Sequence, residues 1–147
     1  MQARAKTYGT HGAINTTQDC ETICVQTIQY CLEMGGAHVE KEHMQLLQDC
    51  ADICETTAKL HSRRSAQHQS VTSACADICD LCAAACEQFI GDPQMKACAN
   101  QCHLCAIVCR QSLAGTMGRQ QLGPFGPFGQ PGSQFGQAGA QPGKSQG

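Results

Sequence analysis

The sequence predicts an all-α fold: an antiparallel, up-down four-helix bundle with a cysteine-lined core, followed by a disordered C-terminal tail. Three observations carry that expectation. Thirteen cysteines recur at spacings of three and four residues, the separation that places side chains on one face of an α-helix. Breaks at Gly35-Gly36, at Ser62-Arg-Arg-Ser and at Gly91-Asp92-Pro93 divide residues 16–114 into four helical pieces. Beyond Gly115 the composition changes to Gly, Pro and Gln, which cannot bury a core.

The four pieces follow from their stop signals. Helix 1 is expected from Thr17 to Met34, ended by the glycine pair. Helix 2 runs from His38 or Val39 to His61. Helix 3 runs from Ser65 or Gln67 to Ile90. At the last break Gly ends one helix, Asp caps the next and Pro fits its first position; helix 4 then continues to about Leu113. Short connections between four similar helices imply antiparallel neighbours. The domain plan is an N-terminal extension over 1–15, the bundle over 16–114 and the tail over 115–147. Phe125, Phe128 and Phe135 recur in that tail. A flexible solubilising tail is the plainer reading, and a docking segment for an unidentified partner the sharper one.

Composition narrows the function. Hydrophobic residues make up 41%, but Cys and Ala supply much of that, with no Trp and 4% aromatics. A core of large apolar side chains is therefore thin. Net charge is -2 and the basic residues are scattered, which argues against a nucleic-acid surface. No apolar stretch is long enough to span a bilayer. Residues 1–16 lack the apolar core and cleavage site of a signal peptide, so a chain complete from Met1, in a reducing cytoplasm, is expected. An odd cysteine count excludes complete intramolecular pairing, and disulfide scaffolds are small and loop-rich rather than helical.

Helices 3 and 4 carry the same motif. Cys75, Cys79, Cys82 and Cys86 are spaced four, three and four, and Cys98, Cys102, Cys105 and Cys109 repeat it. At about 100° per residue each set falls within a band roughly 60° wide. Cys20, Cys24 and Cys31 form a stripe on helix 1, and Cys50 and Cys54 one on helix 2. Turned inward, the four stripes make a tube of sulfur. One or two buried cysteines can serve as small hydrophobes; thirteen in register point to metal.

Thiolates favour Cu(I), Zn(II) or iron–sulfur clusters. Zinc wants four ligands converging tetrahedrally, usually from loops, and iron–sulfur clusters use looped spacings. On a helix, Cys at i and i+4 lie within about 6 Å of each other, a separation suited to two-coordinate Cu(I). The pairs are Cys20/Cys24, Cys50/Cys54, Cys75/Cys79, Cys82/Cys86, Cys98/Cys102 and Cys105/Cys109, with Cys31 left as an extra ligand. Storage of many Cu(I) ions is the expectation. A thiolate zinc or heavy-metal buffer and an iron–sulfur or redox protein stand as alternatives. An enzyme is not expected, because thirteen equivalent thiols do not look like one chosen nucleophile.

With this layout the sequence resembles the bacterial copper storage proteins over residues 16–114. The resemblance rests on CxxxC pairs on the helices and on the CxxxCxxCxxxC repeats. It implies a bundle filled by Cu(I), association as a homotetramer, and the cytosolic branch of the family. Two departures stand out. Cytosolic members often carry more than thirteen cysteines, and the Gly/Pro/Phe tail lies outside the family pattern.

Antiparallel packing brings Met34, His38, His43, Met44 and Met95 to one end of the bundle. Met34, His43 and Met95 fall near the cysteine stripes of their own helices. They are the candidate copper-uptake ligands, with gap-filling Met and solvated His as the plainer readings. His61 and His68 belong to the opposite end, where they either close the bundle, bind copper or face solvent. His103 points away from its stripe, and His11 has no assigned role. Apolar residues away from the cysteines, Val25, Ile28 and Leu32 on helix 1 and Leu104 and Ile107 on helix 4, favour oligomerisation.

Overall fold

The computed structural model describes residues 10–121, with side chains over 11–115. The extension before residue 10 and the tail beyond residue 121, with Phe125, Phe128 and Phe135, lie outside the described residues. The chain divides into two units, Met1–Leu113 and Ala114–Gly147, and the bundle belongs to the first.

Four helices form in order: α1 (Thr10–Met34), α2 (Lys41–Ser62), α3 (His68–Glu87) and α4 (Pro93–Gln121), with a 3-10 turn over Gly36–Val39 between α1 and α2. The antiparallel order is visible in side-chain contacts. Cys31, late in α1, meets His43 and Met95, early in α2 and α4. Cys54, late in α2, meets Cys75, early in α3.

The breaks do what their residues allow. Gly35 and Gly36 take φ of 70° and 59°, a region open to glycine, and the Gly35 N–H donates to the Cys31 carbonyl. After α2, Arg64 adopts φ 54° and the Ser65 N–H closes on the Leu60 carbonyl. Asp92 caps α4 as expected: its Oδ1 accepts the backbone N–H groups of Gln94 (3.0 Å) and Met95 (3.2 Å), with Pro93 in the first helical position.

Several boundaries depart from expectation: α2 starts at Lys41 rather than His38 or Val39, after the 3-10 turn, and α3 at His68 rather than Ser65 or Gln67. Helix α1 starts at Thr10 rather than Thr17. Its inward stripe continues upstream through buried Ala13 and Thr17, and Thr17 donates its hydroxyl to the Ala13 carbonyl instead of capping. Helix α3 stops at Glu87 rather than Ile90, because Gln88 and Phe89 turn back onto the carbonyls of Ala85 and Cys86. Helix α4 runs past Leu113 to Gln121.

The core is sulfur and small side chains. All thirteen cysteines are at 0% exposure and all are free. Leu47 and Met95 are the largest fully buried side chains among the described residues. Buried Ala51, Ala76, Ala83, Ala99 and Ala106 let the helices approach, and half-buried Ile23, Ile28, Ile53, Ile78 and Phe89 pack around the column. No described helix is long and apolar enough to cross a membrane.

Candidate metal centre

Each helix delivers its sulfurs to one axis because the three-and-four spacing keeps them on a single stripe. The middle of the column takes one cysteine from each helix. Cys20 Sγ lies 3.8 Å from Cys50 Sγ, 4.0 Å from Cys79 Sγ and 3.8 Å from Cys102 Sγ. Cys50 is in turn 3.6 Å from Cys79 and 3.9 Å from Cys102. Toward the α2–α3 turn, Cys54 lies 3.7 Å from Cys75, 3.8 Å from Cys79 and 3.9 Å from Cys105. Cys109 adjoins Cys75 and Cys105 beyond that layer. In the other direction Cys24, Cys82, Cys98 and Cys102 form a group, and Cys86 adjoins Cys82 and Cys98.

Four groups of four sulfurs, each with its atoms within 4.8 Å of one another, can be drawn along this axis. They are not separate sites. Cys20, Cys24, Cys50, Cys54, Cys79 and Cys102 each belong to two groups, so the groups interlock into a continuous ladder. The CxxxC sulfurs also lie close, at 4.0 Å for Cys75/Cys79 and within 4.8 Å for Cys20/Cys24, Cys50/Cys54 and Cys98/Cys102, and contacts across helices are as short as 3.6 Å, from Cys50 to Cys79. Consecutive turns separate i and i+4 along the axis, whereas side chains on facing helices converge in the same layer.

The thiols share protons along the column. Neighbouring thiols donating to Cys20, Cys50, Cys75 and Cys98 hold those sulfurs below the usual thiol range. Hydrogen bonds to neighbouring sulfurs, together with burial, push Cys24, Cys54, Cys79, Cys86, Cys102 and Cys109 up. Protons so coupled belong to the set rather than to any one cysteine.

At the α1–α2 end the column finishes in a mixed set. Cys31 Sγ is 3.6 Å from His43 Nε2 and 3.9 Å from Met95 Sδ. His43 and Met95 are buried, and burial pushes the Cys31 thiol up to about 11 and the His43 imidazole down. Met34 is not with them. It is the last residue of α1 and 54% exposed.

Behind this set stands a shell that the sequence reading did not assign. His43 and His38 both stack on Phe89, at 4.9 and 4.3 Å between ring centres. Asp92 Oδ2 accepts the Tyr30 hydroxyl (2.9 Å) and pairs with His38 Nε2 (2.8 Å). The Gly-Asp-Pro signal located the cap, but nothing local in the sequence links Asp92 to Tyr30 sixty-two residues away. His103 is turned outward as expected, on Glu87 (2.8 Å).

The sequence pattern of the copper storage proteins matches residues 6–114. No curated protein matches the chain. Several solved structures are similar, three of them as follows. The Nmul_A1745 protein of Nitrosospira multiformis is 37% identical, with TM-score 0.67, over 71% of this chain and 94% of that one. The Cu(I)-bound copper storage protein BsCsp3 is 30% identical, with TM-score 0.67, over 71% and 97%. The apo form of copper storage protein 3 from Bacillus subtilis is 30% identical, with TM-score 0.65, over 71% and 98%. The family match, the bundle and the sulfur ladder agree, and this chain belongs to the copper storage protein family.

Proposed function

We propose that the protein binds and stores many Cu(I) ions on the thirteen thiolates inside its bundle, without catalysis. The observation that carries this reading is the interlocking of the four-sulfur groups. Shared sulfurs suit an ion content with two-coordinate sites and bridging thiolates, which Cu(I) accepts.

Charge decides against zinc as the main cargo. The S···S distances of 3.6–4.0 Å fit a tetrahedral site with Zn–S bonds near 2.3 Å. Each such zinc would leave two uncompensated negative charges in a buried column, which is costly. Exchanging one thiol proton for one Cu(I) ion leaves the charge of the column unchanged. Capacity therefore approaches one ion per thiol.

Cys31, His43 and Met95 form the uptake mouth. Thioether and imidazole hold Cu(I) less tightly than thiolate, so an ion taken there passes inward. Exposed Met34 lies at the same end and makes a first contact. Thirteen free cysteines suit a reducing compartment and support a cytoplasmic site. Exposed Val25, Leu32, Leu104 and Ile107 support self-association, as a tetramer by family likeness.

Anaerobic titration of the reduced protein with Cu(I) against a chromogenic chelator tests the storage reading. Binding of many equivalents is expected, falling when Cys79, Cys82, Cys102 and Cys105 are replaced by alanine. Saturation at one or two ions, or an unchanged capacity in the variant, would sink it.

A further inference from the structure

The end of the column opposite Cys31 is closed by two histidines whose hydrogen bonds fix their tautomers. His61 lies seven residues after Cys54 and His68 seven before Cys75, so both continue cysteine stripes by two helical turns. His61 is 4% exposed. Its Nε2 is 2.7 Å from Thr72 Oγ1, and that hydroxyl sits 2.5 Å from the His68 carbonyl. A carbonyl only accepts, so Thr72 spends its single proton there and His61 Nε2–H must be the donor to Thr72. With Nε2 carrying the proton, the neutral ring has its lone pair on Nδ1.

His68 has the reverse arrangement. Its Nδ1 is 2.8 Å from the Ser65 carbonyl, so Nδ1–H donates and the neutral ring carries its lone pair on Nε2. The two rings meet edge to face with centres 4.9 Å apart. Cys75, a member of the last four-sulfur group, is near enough to act electrostatically on His61.

We propose that His61 Nδ1 and His68 Nε2 form a two-imidazole Cu(I) site that terminates the column, and that stored copper is exchanged with solvent acceptors there. The backbone and the Thr72 hydroxyl occupy one nitrogen of each ring and hold the other free, an orientation device common around metal-binding histidines. Neutral imidazoles bind Cu(I) without releasing a proton and less tightly than thiolates. An ion reaching this pair from Cys75 is the one held most loosely, and the one an acceptor removes first.

The proposal rests on the storage reading but fails separately from it. Long-range proton–nitrogen correlation NMR on the full-length reduced protein reads both rings without any substitution. The apo protein is expected to show His61 as the Nε2–H tautomer and His68 as the Nδ1–H tautomer. Full loading with Cu(I) should shift His61 Nδ1 and His68 Nε2 and leave the protonated nitrogens in place. His68→Gln, which spares the His61–Thr72 bond, should lose one Cu(I) equivalent and release the remainder to a chelator more slowly. Cys31→Ala should not change the nitrogen shifts of either ring. A wild-type protein that loads many ions with both rings unmoved overturns this site and leaves storage intact. A wild-type protein that loads only one or two ions overturns storage itself.

Discussion

His43 Nε2 lies 3.6 Å from Cys31 Sγ, while His43 Nδ1 is buried with no hydrogen-bond partner among the described residues. An orphaned buried polar atom costs about 1–3 kcal/mol. Such a cost in the apo protein is reasonable where copper uptake uses the ring. His43→Leu removes the orphan and keeps an apolar body against Phe89. The apo variant is expected to melt higher than the parent by an amount corresponding to about 1 kcal/mol. Cu(I) uptake from a weak donor should be slower, with capacity nearly unchanged. Stopped-flow uptake beside a thermal scan checks both, and unaltered uptake removes His43 from the mouth.

Copper loading should weaken as pH falls. Burial holds the Cys31 thiol up at about 11, so it is protonated at neutral pH and the metal must displace that proton. Apparent affinity therefore falls about tenfold per pH unit for each proton displaced. The imidazoles give apo stability a separate dependence. Burial lowers the folded-state pKa of His43 and His61 below the ordinary 6.5. Below pH 6.5 the unfolded chain takes protons that the folded chain refuses, and stability is lost as pH drops through that window. Urea midpoints from pH 8 to 5 should decline, and less steeply in the His43→Leu variant.

Asp92 ties three elements at the uptake end. It caps α4 through Gln94 and Met95, accepts the Tyr30 hydroxyl from α1 and pairs with His38 of the 3-10 turn. His38 and the backbone of Met95 hold its carboxyl below the usual range despite desolvation acting the other way. Loss of the cap costs about 1 kcal/mol, and the side-chain bonds add to it. Asp92→Ala should destabilise the apo protein by about 1–2 kcal/mol, against about 1 kcal/mol for Tyr30→Phe. Because Met95 is positioned through that cap, Asp92→Ala should also slow uptake where Tyr30→Phe does so less. Equal uptake rates in the two variants would show that the cap does not position Met95.

The column was legible in the sequence because helical periodicity is local. Spacings of three and four decide which side chains share a stripe, and thirteen cysteines left no second stripe to choose. His43 and Met95 were found by the same angular count, and both reach Cys31. The same count put Met34 at this end, where the last residue of α1 is exposed. It could not show that the nearest sulfurs face one another across helices, since relative height in a bundle depends on turn geometry. Tyr30, Phe89 and the links from Asp92 to Tyr30 and His38 escaped for the same reason: each acts through partners far away in sequence.

Buried threonines mark where the column could be longer. Thr27 lies between Cys24 and Cys31, and Thr57 between Cys54 and His61, on the same inward stripes and at 0% exposure. Each satisfies its hydroxyl on its own helix, Thr57 on the Ile53 carbonyl at 2.7 Å and Thr27 on Ile23 at 2.7 Å, so neither offers a soft ligand. Thr57→Cys changes little volume and replaces that internal bond with a thiol beside the last sulfur layer. The apo protein should lose no more than about 1 kcal/mol. Cu(I) capacity under chelator competition should rise by one equivalent. Thr22, exposed and bonded to the Gln18 carbonyl, supplies the control: Thr22→Cys adds a thiol outside the column and should leave chelator-resistant capacity unchanged. If the two variants gain equally, capacity follows cysteine count alone; a gain confined to Thr57→Cys places storage on the buried axis.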